Sequence, residues 1–140
     1  AVWITFLARD GSLRRAQKVS DWNGGFTGAM SDGETLGQSL AGPGDIDGDR
    51  VPDLLVGSTS GVWTLLLRKD CTVKSHRKLE NSLDSSAYQA HFGNSLAVST
   101  LPGPGALPRI ASGGYLGNKK TEDRFVWLFT LGHDGALRAR

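Results

Sequence analysis

The chain has 140 residues, enough for one domain, and 39% of them are hydrophobic, which is enough to build a packed core. Sixteen lysines and arginines against 14 aspartates and glutamates leave a formal net charge of +2, which argues against a polycation that binds nucleic acid or a membrane surface. No apolar run approaches the roughly 20 residues that span a bilayer, so no transmembrane segment is predicted.

The 19 glycines indicate many tight turns, because glycine makes up roughly 7% of an average chain. Glycine, proline and β-branched residues also interrupt every candidate helix. The composition therefore predicts an all-β fold of short strands. The single cysteine, Cys71, cannot form a disulfide within the chain, so cysteine usage does not identify the redox compartment.

The first 20 residues, AVWITFLARDGSLRRAQKVS, predict a β-hairpin: an apolar strand, an Asp-Gly turn and a second strand of alternating character. The same pattern returns as GVWTLLLRKDCTVKSHRKLE at 61–80 and as RFVWLFTLGHDGALRAR at 124–140. The offsets are about 60 residues, which identifies an internal repeat.

Three tryptophans fall in one register of this repeat: Trp3, Trp63 and Trp127. They could form a sugar-stacking set, but equivalent strand positions favour core residues that face the next sheet. In the second copy Cys71 replaces the turn glycine, which predicts either a strained turn or a different turn type.

A glycine-rich segment, SDWNGGFTGAMSDGET at 20–35, follows the first hairpin. It is longer than the corresponding segment of the next repeat, as expected for a loop between strands. Its aromatic residues, Trp22 and Phe26, are the candidates for an exposed contact with a ligand.

A second repeated unit lies between the outer hairpins. LGQSLA at 36–41 matches FGNSLA at 92–97, and DRVPDLLVGS at 49–58 falls on GALPRIASGG at 105–114. Each period therefore holds an inner and an outer hairpin, or four short strands. Four-stranded units at this spacing are typical of β-propeller blades.

The apex of the first inner hairpin is strongly acidic. GDIDGDRVPD, residues 44–53, is the D-x-D-x-D kind of loop that supplies oxygen ligands to calcium. The predicted ligands are Asp45, Asp47 and Asp49 at positions 1, 3 and 5, the Val51 carbonyl at position 7, and Asp53 at position 9. Position 12 is Val56 and not a glutamate, so the loop is not an EF-hand. A solvated Asp/Gly turn without metal is the alternative.

The aligned second loop is an internal control. At an offset of 56 the four aspartates become Leu101, Gly103, Gly105 and Arg109. The loop keeps its length and its proline but loses every carboxylate. The sequence therefore predicts one Ca²⁺ site and not two.

The stretch LGQSLAGPGDIDGDRVPDLLVGS, together with FGNSLA, resembles the FG-GAP repeat of integrin α-subunit β-propellers and their secreted microbial or protist relatives. The resemblance implies that the loop binds Ca²⁺ through Asp45, Asp47, Asp49, Val51 and Asp53, and that the location is extracellular or at the cell surface. Arg50 stands where the family often has glycine.

The resemblance also implies an outer hairpin of a preceding blade at 1–20, a blade with a calcium loop at 36–80, and a second blade with a degenerate loop at 92–140. The strand order would be SLA, DLLVG, VWTLLL and VKSHRKL. About two and a half blades leave a propeller incomplete unless it is continued or copies associate.

Nothing in the sequence predicts catalysis. The histidines, His76, His91 and His133, are far apart in the repeat. No Gly-x-Ser-x-Gly elbow, phosphate-binding loop or zinc spacing is present.

The favoured function is therefore a non-catalytic extracellular calcium-binding module for adhesion or structure, which includes a self-assembling or filament subunit. The alternatives are a lectin-type carbohydrate-binding module and an accessory domain of a secreted hydrolase. The partner would be a protein, a glycan or copies of the chain itself.

Overall fold

The computed structural model describes residues 1–79, 92–99, 107–118 and 121–138. These residues form β-strands and no helix, so the predicted all-β class is confirmed. The strands are β1 (Val2–Leu7), β2 (Leu13–Val19), β3 (Leu36–Gly44), β4 (Asp53–Ser58), β5 (Gly61–Leu67), β6 (Val73–Leu79), β7 (Ser95–Ser99), β8 (Arg109–Asn118), β9 (Thr121–Leu131) and β10 (Leu137–Arg138).

The strands form three antiparallel sheets: a first sheet of β1 and β2, a middle sheet of β3 to β6, and a third sheet of β7 to β10. In both four-stranded sheets the neighbours follow chain order, which is the strand order predicted for the middle sheet. The described residues form no closed propeller. Residues 80, 100–106, 119–120 and 139–140 of the predicted units lie outside the described ranges.

The turns that join β1 to β2, β5 to β6 and β9 to β10 share one hydrogen-bond pattern. In the first, the Ala8 amide donates to the Ser12 carbonyl (2.8 Å) and the Gly11 amide donates to the Ala8 carbonyl (3.0 Å). The other two turns repeat both bonds through Arg68, Cys71 and Thr72, and through Gly132, Gly135 and Ala136.

Cys71 keeps the turn type of its glycine counterparts. Its φ is 61°, against 83° for Gly11 and 70° for Gly135. A side chain at positive φ is strained because its Cβ crowds the backbone. Of the two sequence interpretations, the strained turn is therefore confirmed.

The middle sheet is covered on both faces, and every residue of β5 is buried. A first core lies between the middle and first sheets and contains Trp63, Leu65 and Leu67 with Val2 and Val19. A second core lies between the middle and third sheets and contains Val62, Leu66, Phe92, Ile110 and Leu131. Alternate residues of one strand thus enter opposite cores, as the pleat requires.

The three tryptophans in one register have different environments. Trp63 is buried in the first core and Trp127 is half-buried against the second. The expectation that Trp3 is also a core residue is wrong, since 60% of its surface is exposed. Its face of β1 points away from the middle sheet, and no described sheet covers it.

Candidate metal site

The acidic loop connects β3 to β4 and brings three of its aspartates together. Each of Asp45, Asp47 and Asp49 offers a carboxylate oxygen within 4.8 Å of the other two. Carboxylate oxygens at this spacing suit a hard divalent cation better than a soft one.

The Asp45 carboxylate organises the loop backbone. Its Oδ1 accepts hydrogen bonds from the amides of Gly48 (2.7 Å) and Asp49 (3.1 Å), and its Oδ2 accepts one from Arg50 (2.7 Å). Gly48 and Arg50 have φ values of 82° and 67°. Arg50 therefore adopts a left-handed conformation that favours glycine.

Lys74, which lies on β6, places an ammonium group beside the other two carboxylates. Its Nζ is 2.5 Å from Asp47 Oδ2 and also contacts Asp49 Oδ2. The hydrogen bond from Lys74 lowers the pKa of Asp49, and Asp47 and Asp49 together raise the pKa of Lys74. A positive charge thus already relieves part of the repulsion in the cluster.

Asp47 also carries an unpartnered oxygen. Its Oδ1 is buried and has no hydrogen-bond partner among the residues that the structure describes. A buried carboxylate oxygen without a donor is costly. The three carboxylates and this oxygen could hold a metal ion, which would give Asp47 Oδ1 a ligand contact.

Asp53, the predicted fourth carboxylate ligand, sits deeper, with 3% of its surface exposed. Its Oδ2 accepts a hydrogen bond from the Ile46 amide (2.7 Å) and its Oδ1 accepts one from the Leu67 amide (2.9 Å). Burial raises its pKa, and the charges of Asp47 and Asp49 add to that rise. Asp53 ties the loop to β5, and its role as a ligand stays a prediction.

Two residues of the loop anchor it by lying in the two cores, one in each. Val51 is buried in the first core, and its amide donates to Asp49 Oδ1 (2.9 Å). Ile46 is buried in the second core, and its carbonyl accepts a hydrogen bond from His133 Nδ1 (2.7 Å). The Val51 carbonyl as a calcium ligand stays a prediction.

The second loop cannot serve as the structural control that the sequence suggested. Leu101, Gly103 and Gly105 lie outside the described residues, as does His91. Arg109 begins β8 and is exposed.

Of the two aromatic residues predicted to form an exposed contact, only one is exposed in the structure. Trp22 has 89% of its surface exposed. Phe26 is only 1% exposed, so the expectation for Phe26 is wrong. It packs edge-on against Trp63, with ring centroids 5.0 Å apart, and Gly28 leaves the space that this contact needs.

Sequence reasoning missed Lys74 and also the buried carboxylate of Glu34. Glu34 accepts hydrogen bonds from Ser58 Oγ (2.7 Å), Lys78 Nζ (3.2 Å) and Trp63 Nε1 (3.4 Å). Burial alone would raise its pKa, but hydrogen bonds from Ser60, Ser58, the Ser31 backbone and Lys78 lower it to about 2. Both residues meet partners more than 20 positions away, so local spacing carries no signal for them.

No protein-family model, curated protein or solved structure matches this chain. Within the described ranges, no helix has the length and apolar character needed to cross a bilayer.

Proposed function

We propose that the chain is a non-catalytic Ca²⁺-binding module of FG-GAP type, whose sheets are propeller blades used outside cells for adhesion or as a structural building block. The observation that carries the proposal is the cluster of Asp45, Asp47 and Asp49 at the apex between β3 and β4. The unpartnered Oδ1 of Asp47 is a free ligand atom within that cluster.

Calcium is favoured over magnesium for this loop because Ca²⁺ accepts six to eight oxygens in flexible geometry, whereas Mg²⁺ demands a near-ideal octahedron and keeps its waters. The loop can offer carboxylate and carbonyl oxygens from Asp45, Asp47, Asp49, Val51 and Asp53. A site of modest affinity suits the millimolar calcium outside cells.

When bound, the ion would neutralise the cluster and cross-link the loop. The loop already touches both cores through Val51 and Ile46. Stiffening it would therefore stiffen the junction of all three sheets. A structural or adhesive module would benefit from such rigidity. Because the ion would bind only the folded state, it would also stabilise that state.

Calorimetric titration with Ca²⁺ and with Mg²⁺ tests the proposal. We expect Ca²⁺ to bind with a stoichiometry of one and Mg²⁺ to bind more weakly. Asp47→Asn should abolish the heat of Ca²⁺ binding. Asp32 is an exposed aspartate outside the cluster, so Asp32→Asn should leave that heat unchanged. Equal heats of calcium binding for the wild type and Asp47→Asn would contradict the proposed site.

A lectin-type function is the second candidate, and Trp22 is the observation that favours it. The exposed indole borders an open cleft of about 510 Å³ lined by residues 21–22 and 25–30. A flat aromatic side chain beside a cleft can stack on the apolar face of a sugar. Glycan-array binding that is lost in Trp22→Ala and kept in Trp3→Ala would support this function.

A further inference from the structure

The two faces of the middle sheet differ in character. Trp63, Leu65 and Leu67 form the face that packs on the first sheet, and we call the tryptophan-bearing face of each sheet its front face. Val62 and Leu66 lie on the opposite face, which packs on the third sheet and is here called the rear face.

The first sheet packs on the middle sheet through its rear face. Val2 and Ile4 pack into the first core, against the front face of the middle sheet. The front face of the first sheet is therefore turned outward. It carries Trp3 (60% exposed), Leu7 (60%) and Leu13 (62%), and Leu7 pairs directly with Leu13 across the sheet.

The third sheet turns its opposite face outward. Trp127, Phe129 and Leu131 pack into the second core, against the rear face of the middle sheet. Its own rear face is turned outward and exposes 70% of Val126 and 71% of Leu128. Large apolar side chains at this exposure on a regular strand indicate a contact surface.

The described residues thus form two front-to-rear contacts, and none of the described sheets covers the remaining front face or the remaining rear face. We infer that a second copy of this chain covers them, with the rear face of its third sheet packed on the front face of the first sheet. The missing contact would continue the stacking already present twice within the chain.

The free front face of the first sheet has the same lysine–tryptophan contact as the covered front face of the middle sheet. Lys18 Nζ lies 5.9 Å from the ring centroid of Trp3, and Lys78 Nζ lies 5.4 Å from that of Trp63. Trp3 pairs with Lys18 across its sheet just as Trp63 pairs with Lys78. The free face therefore repeats the surface that, in the middle sheet, receives Val2 and Ile4.

Such a contact joins two different surfaces, so it is heterologous. A heterologous contact extends into a filament or closes into a ring, depending on the rotation between copies. The contact involves none of the acidic-loop residues, so association does not depend on calcium.

Sedimentation velocity over micromolar to millimolar concentrations of the whole chain, with calcium or with chelator, tests this inference. We expect reversible association in both buffers. Trp3→Glu on the front face and Leu128→Glu on the rear face should each weaken it by about tenfold or more, because each places a charge in an apolar contact. Trp22→Glu, at a more exposed tryptophan that lies on neither face, is the control.

Mixing the two variants gives the sharpest result. Trp3→Glu keeps an intact rear face and Leu128→Glu an intact front face, so their mixture should form dimers and stop there. Leu7→Glu and Val126→Glu provide a second pair if either first variant fails to fold. A wild type that stays monomeric would assign the faces to another occupant and overturn the inference, as would a mixture that stays monomeric.

Discussion

Lys74 Nζ lies 2.5 Å from Asp47 Oδ2, so the protein holds an ammonium group of its own against the acidic loop. The same group contacts Asp49. Lys74 therefore competes for two of the carboxylates that the proposed calcium ion would use. It also offsets part of the negative charge of the loop without a metal ion.

Replacing Lys74 should strengthen calcium binding. In Lys74→Met the ammonium group beside Asp47 and Asp49 is lost, and we expect the dissociation constant for Ca²⁺ to fall by roughly twofold to fivefold, the range for partly screened surface charges. The same variant without calcium should be less stable. Lys69→Met, an exposed lysine of the adjacent turn, is the control, and an unchanged affinity in Lys74→Met would show that Lys74 does not compete.

Asp53→Asn should show that the Asp53 carboxylate stabilises the fold even when no calcium is bound. Both Asp53 oxygens accept backbone amide hydrogen bonds from Ile46 and Leu67 in a buried place. In asparagine one of these oxygens is replaced by an NH₂ group, which cannot accept the second bond, so the variant should lose about 2 kcal/mol of unfolding free energy even in chelator. Chemical denaturation of Asp53→Asn beside Asp47→Asn checks this, and equal stabilities in chelator would contradict it.

Glu34 should make the fold sensitive to acid. Its pKa falls from an ordinary value of 4.5 to about 2 in the folded state. A lowered folded-state pKa gives stability that is complete above 4.5 and is lost as the pH falls towards 2. Thermal unfolding across this interval should show a steeper decline for the wild type than for Glu34→Gln, and parallel curves would exclude a role for Glu34.

Cys71→Gly should stabilise the protein. Cys71 holds a φ of 61°, which costs a side chain roughly 1 kcal/mol and glycine almost nothing. We expect a gain of about 0.5 to 1 kcal/mol in unfolding free energy, measured by denaturant titration. Cys71→Ala removes the thiol but keeps the strain and should show no gain. The reverse change, Gly11→Ala, has open space around the new Cβ and should cost a similar amount through the backbone alone.

The sequence predicted the hairpins and the strand order because both depend on local pattern. Alternating apolar residues mark strands, and Asp10, Asp70 and Asp134 mark three turns of the same geometry. The acidic cluster was predictable for the same reason, since Asp45, Asp47 and Asp49 are close along the chain.

Contacts between sheets were not predictable in this way. Phe26 lies in a glycine-rich loop, and the packing of that loop on Trp63 and His76 buries it. Trp3 and Trp63 have the same local pattern, yet one of the described sheets covers Trp63 and none of them covers Trp3. Lys74 reaches the acidic loop from β6, across 25 positions of sequence.

An anomalous difference map from crystals grown with calcium tests the central claim most directly. The account predicts a single peak among the carboxylates of Asp45, Asp47 and Asp49, with Lys74 Nζ moved away from Asp47. A map with no peak there, and with Lys74 still held between Asp47 and Asp49, would contradict it.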